Sequence, residues 1–163
     1  IARIGVGYNG SPESEQALAA ARALAAELEA RLAVLEAVEI PAFAFMAAGM
    51  PVTNDLVEDM VDEARRRVSA LPGVEPHAAY GRPCEELAQF SASVDLLVVG
   101  SRGYGPRGRL VHGSTTSVLA GTARCPLMVL TRDTAPRLAG SERPGASTFG
   151  DQSAWVSATL AQR

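Results

Sequence analysis

The sequence predicts an α/β domain: an open parallel sheet with helices on both faces. Three observations lead there. Short apolar or alternating segments of strand length recur between longer segments of helical period, giving the order βαβαβαβαβ. The run Val94 to Val99 is apolar almost throughout, as a strand covered on both faces requires. Glycine-bearing loops follow the first and fourth strands, and open α/β sheets bind ligands beyond the carboxyl ends of their strands.

The first strand spans Ile1 to Tyr8, with Ile4, Val6 and Tyr8 alternating with Gly5 and Gly7. Glycine inside a strand marks close approach by a ligand or another backbone. Asn9-Gly10 ends the strand, and Ser11 supplies an N-cap followed by Pro12 and Glu13. The helix that follows runs to about Arg31, with an apolar stripe of Ala17, Leu18, Ala21, Leu24, Ala25 and Leu28. Leu32 to Val38 is the second strand, and 41–51 a loop rich in Ala, Phe and Met. Thr53 or Asn54 caps the second helix, whose apolar face is Leu56, Val57, Met60, Val61, Ala64 and Val68. Val74 to Tyr80 is a strand that Pro76 consigns to a sheet edge. Gly81-Arg82-Pro83 opens a helix through Phe90, Val94 to Val99 is the fourth strand, Ser114 to Ala123 the fourth helix, and Pro126 to Leu130 the last strand. From Arg132 the chain turns rich in Pro, Gly and Ser, which reads as a flexible tail with room for a short helix over Ala154 to Leu160 around Trp155.

Composition excludes several classes. The chain of 163 residues is 47% hydrophobic and 20% charged, enough for one domain burying roughly 70% of its unfolded surface. No apolar run reaches the ~20 residues of a membrane span, and no signal-peptide pattern opens the sequence, so a cytoplasmic setting is expected. Cys84 and Cys125 form no CxxC pair, and His77 and His112 stand far apart, which leaves no local zinc cluster. A net charge of −3 argues against nucleic acid as a partner. All 15 basic residues are arginine, so chemistry that needs a lysine, including the lysine of a Walker A loop, is excluded.

One constellation carries chemistry. Gly100 and Gly103 follow the fourth strand; nine residues later come Gly113, Ser114, Thr115 and Thr116, where a helix begins. The glycines admit a ligand to the backbone. The helix start offers free N–H groups and a positive dipole end to an anion. In a strand–loop–helix setting the combination reads as a phosphate cradle. Arg102, Arg107 and Arg109 either neutralise phosphate or belong to a solvated loop, and His112 is a weaker candidate for the same contact. The run Arg65-Arg66-Arg67 reads as the solvated face of the second helix, and Asp95 as a loop end. Phe43, Phe45, Met46 and Met50 either shield a base or cover the core.

The glycine–serine pattern resembles the G-2x-G-9x-G-(S/T) motif of ATP-binding members of the universal stress protein family. The segments Asn9 to Ser14, Gly81-Arg82-Pro83, Asp95 to Gly103 and Cys125-Pro126 resemble that family too, over about residues 2–131. The resemblance implies a doubly wound five-stranded sheet in the order 3-2-1-4-5. It implies an adenine nucleotide, ATP or else AMP or cyclic AMP, between the first and fourth strands. Phosphates would lie on Gly100, Gly103, Gly113, Ser114 and Thr115, with Arg102 beside them. Gly7, Tyr8 and Asn9 would line the nucleoside, and the backbone of Ala37, or of its neighbour Val38, would meet the adenine edge. The family usually has Asp where Asn9 stands. Asn9 either reaches the ribose or serves the turn with Gly10, and its lack of charge disfavours Mg²⁺.

These features lead to a nucleotide-binding regulator of the stress-response kind with slow or no ATP hydrolysis, rather than an enzyme. Two alternatives are an interaction module that has lost nucleotide and a nucleotide-using α/β enzyme. Dimerisation through the apolar last strand is expected, the tail capping that edge being the competing arrangement.

Overall fold

The computed structural model describes residues 1–39, 53–101 and 114–131. Five strands, β1 (Arg3–Tyr8), β2 (Arg31–Val38), β3 (Glu75–Tyr80), β4 (Leu96–Ser101) and β5 (Leu127–Thr131), form one sheet in the order β3-β2-β1-β4-β5. Every neighbouring pair is parallel. The helices are α1 (Pro12–Leu28), α2 (Asn54–Ser69), α3 (Pro83–Phe90) and α4 (Ser114–Thr122), with a 3-10 turn at Ser91–Ser93. The predicted fold class and strand order are both found. The expected loop at 41–51 and the tail with Trp155 lie outside the described residues.

Strand side chains alternate between two cores. On one face Ile4, Val6, Leu32, Val34, Leu96 and Val98 pack against Ala17, Leu18, Ala21 and Ala25 of α1 and Val68 of α2. On the other, Leu35, Leu97 and Val99 meet Leu87 of α3, Val94 and Leu119 of α4. Each fully buried aliphatic side chain contributes about 1.5–3 kcal/mol, so the two layers hold the sheet between them. Gly5 and Gly7 lie on the α3 face of β1. A Cβ on Gly5 would stand 2.8 Å from Phe90 Cε1, and one on Gly7 would stand 3.0 Å from Leu87 Cδ2. On this face the close approach at these glycines is made by the side chains of Leu87 and Phe90 of α3 and of Val94 and Val99.

Helix α1 begins as expected: the Ser11 hydroxyl oxygen accepts the Ser14 N–H at 3.2 Å, and Pro12 is the first helical residue. It ends at Leu28, three residues before the expected end near Arg31. Glu29 adopts a left-handed conformation (φ 52°), the Ala30 N–H returns to the Ala25 carbonyl at 2.9 Å, and the Arg31 N–H donates to the Ala2 carbonyl at 2.9 Å. Pairing beside β1 therefore replaces a further helical turn, and Leu28 is left 45% exposed instead of joining the stripe. Thr53 caps α2, its Oγ1 accepting the Leu56 N–H at 3.3 Å. β3 lies at the edge beyond β2, where Pro76 costs no ladder bond on its outer side. Cys84 is buried, and desolvation raises the half-buried Cys125 thiol above its ordinary pKa, as befits an unreactive thiol.

Asp95 is more than the loop end it resembles in sequence. Its Oδ2 accepts the Ala2 and Arg3 N–H groups at 2.6 and 2.9 Å, while its own N–H donates to the Arg3 carbonyl at 2.8 Å. One residue thus clamps the start of β1 to the start of β4. The two backbone hydrogen bonds hold the carboxyl below its ordinary pKa. A carboxyl lowered by folding stabilises the fold above its unfolded pKa and loses that contribution as pH falls through the folded value. Asp95→Ala should therefore lower the urea midpoint at neutral pH, and the gap to wild type should narrow as pH falls below about 4, the ordinary carboxylate range.

Candidate functional site

From β1 the chain winds outward through β2 to β3, then crosses to β4 and β5 on the other side. Strand order reverses between β1 and β4, so the crevice at their carboxyl ends is where such a sheet binds a ligand. Gly7, Tyr8 and Asn9 lie at the end of β1, Gly100 near the end of β4, and Ser114 and Thr115 at the start of α4. Ala37 and Val38 end β2. Ser101 and Thr116, at the close of β4 and in the first turn of α4, are 2% and 3% exposed. Arg102, Gly103 and Gly113, with Arg107, Arg109 and His112, lie outside the described residues.

Asn9 belongs to a tight hydrogen-bonded turn. Its Oδ1 accepts the Ser11 N–H at 3.1 Å, its own N–H donates to Ser14 Oγ at 3.4 Å, and the Ser14 hydroxyl donates to the Ser11 carbonyl at 2.9 Å. Gly10 follows it at φ 71°. The oxygen of Asn9 therefore serves the turn. Its NH₂ has no hydrogen-bond partner among the described residues.

The end of β2 distinguishes Ala37 from Val38. The β1–β2 register stops at Tyr8 opposite Glu36, while β2 goes on pairing with β3 through Ala37 and Val38. The Val38 carbonyl accepts the Gly81 N–H at 3.0 Å, so the Val38 peptide groups point toward β3. Backbone groups of successive strand residues point to opposite sides. Those of Ala37 accordingly point toward the β1 side, past the last β1–β2 partner.

Beside this end, on the α1 and α2 face, lies a polar cluster that the sequence did not reveal. The Tyr8 hydroxyl donates to Glu15 Oε1. This bond, with burial and the charges of Glu15 and Glu36, pushes the Tyr8 pKa up to about 12, so the phenol stays protonated. Glu36, 7% exposed, receives Arg67 at 2.6 Å from Nη2 and 3.4 Å from Nε. Arg67 also lies 3.6 Å from Glu63. The solvated arginine run expected on α2 thus holds for Arg65 and Arg66, but Arg67 reaches back to the sheet. The available signal was a single Glu inside the apolar stretch 32–38.

Two concavities among the described residues bear on the site. One of about 210 Å³ adjoins this cluster and is lined by Val38, Asp59, Met60, Glu63 and Arg67. A larger one of about 520 Å³ lies at the amino ends of β2 and β3, beside Arg22, Arg31 and Val74. The larger is at the wrong end of the sheet: both glycine-bearing loops and the helix N-termini that attract anions are at the carboxyl ends. No group of three His, Cys, Asp or Glu side chains among the described residues is placed to hold a metal ion.

The strand order defines a doubly wound α/β protein whose switch point lies between β1 and β4. The profile of the universal stress protein family matches residues 1–131, and the chain belongs to that family. A universal stress protein of Thermus aquaticus is 33% identical over 132 residues, covering 76% of this chain and 93% of that one. A universal stress protein of Mycobacterium tuberculosis is 33% identical over 130 residues, covering 76% of this chain but 43% of that longer protein. Among solved structures, UspA of Lactobacillus plantarum superposes with a TM-score of 0.56 at 23% identity, over 79% of this chain and 97% of its own. A universal stress protein in complex with cAMP gives 0.54 at 22%, over 79% and 96%.

The ion pair gives a direct test of the cluster. Arg67→Ala leaves the Glu36 carboxylate buried beside the sheet without its guanidinium and should cost about 2 kcal/mol. Replacing both residues by Met removes the stranded charge and should cost less. Urea unfolding of the two variants checks the order.

Proposed function

We propose that the chain binds an adenine nucleotide at the carboxyl ends of β1 and β4 and works as a nucleotide-dependent regulator in a stress response. One observation carries this reading: Gly100, the head of the glycine–serine motif, lies near the end of β4 at the strand-order reversal, and Ser114, its other end, starts the helix that follows β4. Phosphate would be held by the motif glycines 100, 103 and 113 and by Ser114 and Thr115 at the N-terminus of α4. The nucleoside would lie against Gly7, Tyr8 and Asn9, and the adenine edge would meet the Ala37 backbone, whose orientation favours it over Val38. The cAMP complex of a protein with the same fold supports the ligand class. ATP, AMP and cyclic AMP all fit this description.

Mg²⁺ would enter with phosphate oxygens and water rather than through a protein carboxylate set. Hydrolysis is expected to be slow, with turnover below the ~1 s⁻¹ at which ordinary enzymes begin, and a cytoplasmic location goes with this role. A second reading, an interaction module without nucleotide, draws on Asn9, whose oxygen is already held by Ser11.

Mass spectrometry of the supernatant from denatured protein, followed by calorimetric titration of the stripped chain with ATP, AMP and cyclic AMP, separates the readings. We expect adenine nucleotide released, or bound on titration; neither would leave the interaction module. In the same assay Asn9→Asp should make ATP binding more dependent on Mg²⁺, since the turn can be kept while a charged oxygen is added. An identical metal response in both proteins would make residue 9 a turn residue only.

The described chain also pairs β5 on one side only, through β4. The open edge carries Leu127, Met128, Val129 and Leu130. A second copy paired antiparallel about a two-fold axis would cover both edges. Sedimentation should give a dimer mass for the full chain; a monomer that dimerises only when cut after Asp133 would assign the edge to the tail.

A further inference from the structure

Gly100 heads the glycine–serine motif, yet the space its missing side chain leaves is filled by protein. Together with Leu96 and Val98 it faces α1. A Cβ built on Gly100 would lie 2.4 Å from the Glu13 carbonyl oxygen, 2.5 Å from its carbonyl carbon and 2.8 Å from its Cβ. Two of these three are backbone atoms and cannot swing aside like the end of a long side chain. Ordinary contact would require the first turn of α1 to retreat by about 1 Å.

That turn is joined to the nucleoside side of the crevice. The Ser14 N–H is held by Ser11 Oγ at 3.2 Å, the Ser11 N–H by Asn9 Oδ1 at 3.1 Å, and the Asn9 N–H by Ser14 Oγ at 3.4 Å. The ring of bonds makes Asn9, Ser11 and Ser14 one unit with the start of α1. A displacement of Glu13 is therefore passed to Asn9, while the start of α4 shares none of these bonds.

Resting on the nucleotide reading above, we propose that Gly100 is a positioning residue: it seats the first turn of α1 on β4 and thereby sets the Asn9 turn against the nucleoside. Clearing space for phosphate is not its role. The two roles differ in what they do to ligands with and without phosphate. A lost seat weakens the nucleoside contact, so ATP and adenosine lose affinity by the same factor. A blocked phosphate path weakens ATP and spares adenosine.

The experiment compares wild type, Gly100→Ala and Gly121→Ala. Gly121 lies in α4 with nothing within 4 Å of a Cβ, so its variant should bind like wild type. Calorimetry with ATP and with adenosine should show equal losses of about tenfold or more in Gly100→Ala, about 1.4 kcal/mol in each case. Hydrogen exchange without ligand should rise at the amides of residues 13–16 in that variant. Loss confined to ATP, or exchange unchanged at those amides, overturns the proposal. If wild type binds neither ligand, the nucleotide reading fails, and the exchange result alone decides whether Gly100 seats α1. If Gly100→Ala does not fold, Ser14→Ala replaces it: cutting the same ring should lower both affinities equally, and unchanged adenosine affinity overturns the coupling.

Discussion

Helices α1 and α3 approach the central strands at glycines, and the geometry of the carboxyl end depends on that approach. Gly5 and Gly7 let Phe90 and Leu87 of α3 lie close to β1 on one face. Gly100 lets the backbone of α1 lie against β4 on the other. The two central strands are thus gripped from opposite sides by helices that cannot retreat without opening a core layer, and close-packed interiors resist such movement. The start of α1 lies close against β4, with the Glu13 backbone over Gly100. The Asn9 turn and the reversal of strand order are therefore held in one frame.

The polar groups near that frame are bonded to one another: Glu36 is matched by Arg67, and Glu15 accepts from the Tyr8 hydroxyl. The hydrogen bond to Glu15, then burial and the charges of Glu15 and Glu36, push the Tyr8 pKa above its ordinary value. At the other end of the sheet Arg3 bonds Glu75 at 2.7 Å and the Ser93 carbonyl at 3.2 Å, while Asp95 holds its backbone N–H. These contacts fasten β1 to the edge strand and to the entrance of β4.

The fold was legible because its signals are local and repeated. Ser11-Pro12 and Thr53 start helices by capping, and Pro76 marks an edge by its missing donor, each within a few residues of the feature it specifies. The helix boundary near Glu29 was not legible, because tertiary pairing of Arg31 beside β1 decided it and no glycine signalled the left-handed residue. Asp95 clamping Ala2 and Arg3, and Glu36 drawing Arg67 back from solvent, join residues more than thirty positions apart, which no spacing rule anticipates. The motif glycine at 100 stood out in sequence, but its packing neighbour, the Glu13 backbone, belongs to a distant segment that no spacing rule connects to it. For the candidate site, the sequence pointed to the carboxyl ends of the strands and left Ala37 and Val38 as alternatives. The Gly81–Val38 hydrogen bond turns the Val38 carbonyl toward β3, an orientation that supports Ala37 in the proposed contact.

The central claim is that nucleotide binds at the carboxyl ends of β1 and β4. Backbone amide shifts of the isotope-labelled chain titrated with ATP test it most directly. The account predicts the largest changes at Gly7 to Asn9, at Ala37, at Gly100 and Ser101, and at Ser114 to Thr116, with none at Arg31 or at Gly73 to Glu75. Changes concentrated at Arg22, Arg31 and Val74, around the larger concavity at the amino ends, would contradict it, as would a spectrum that ATP leaves unmoved.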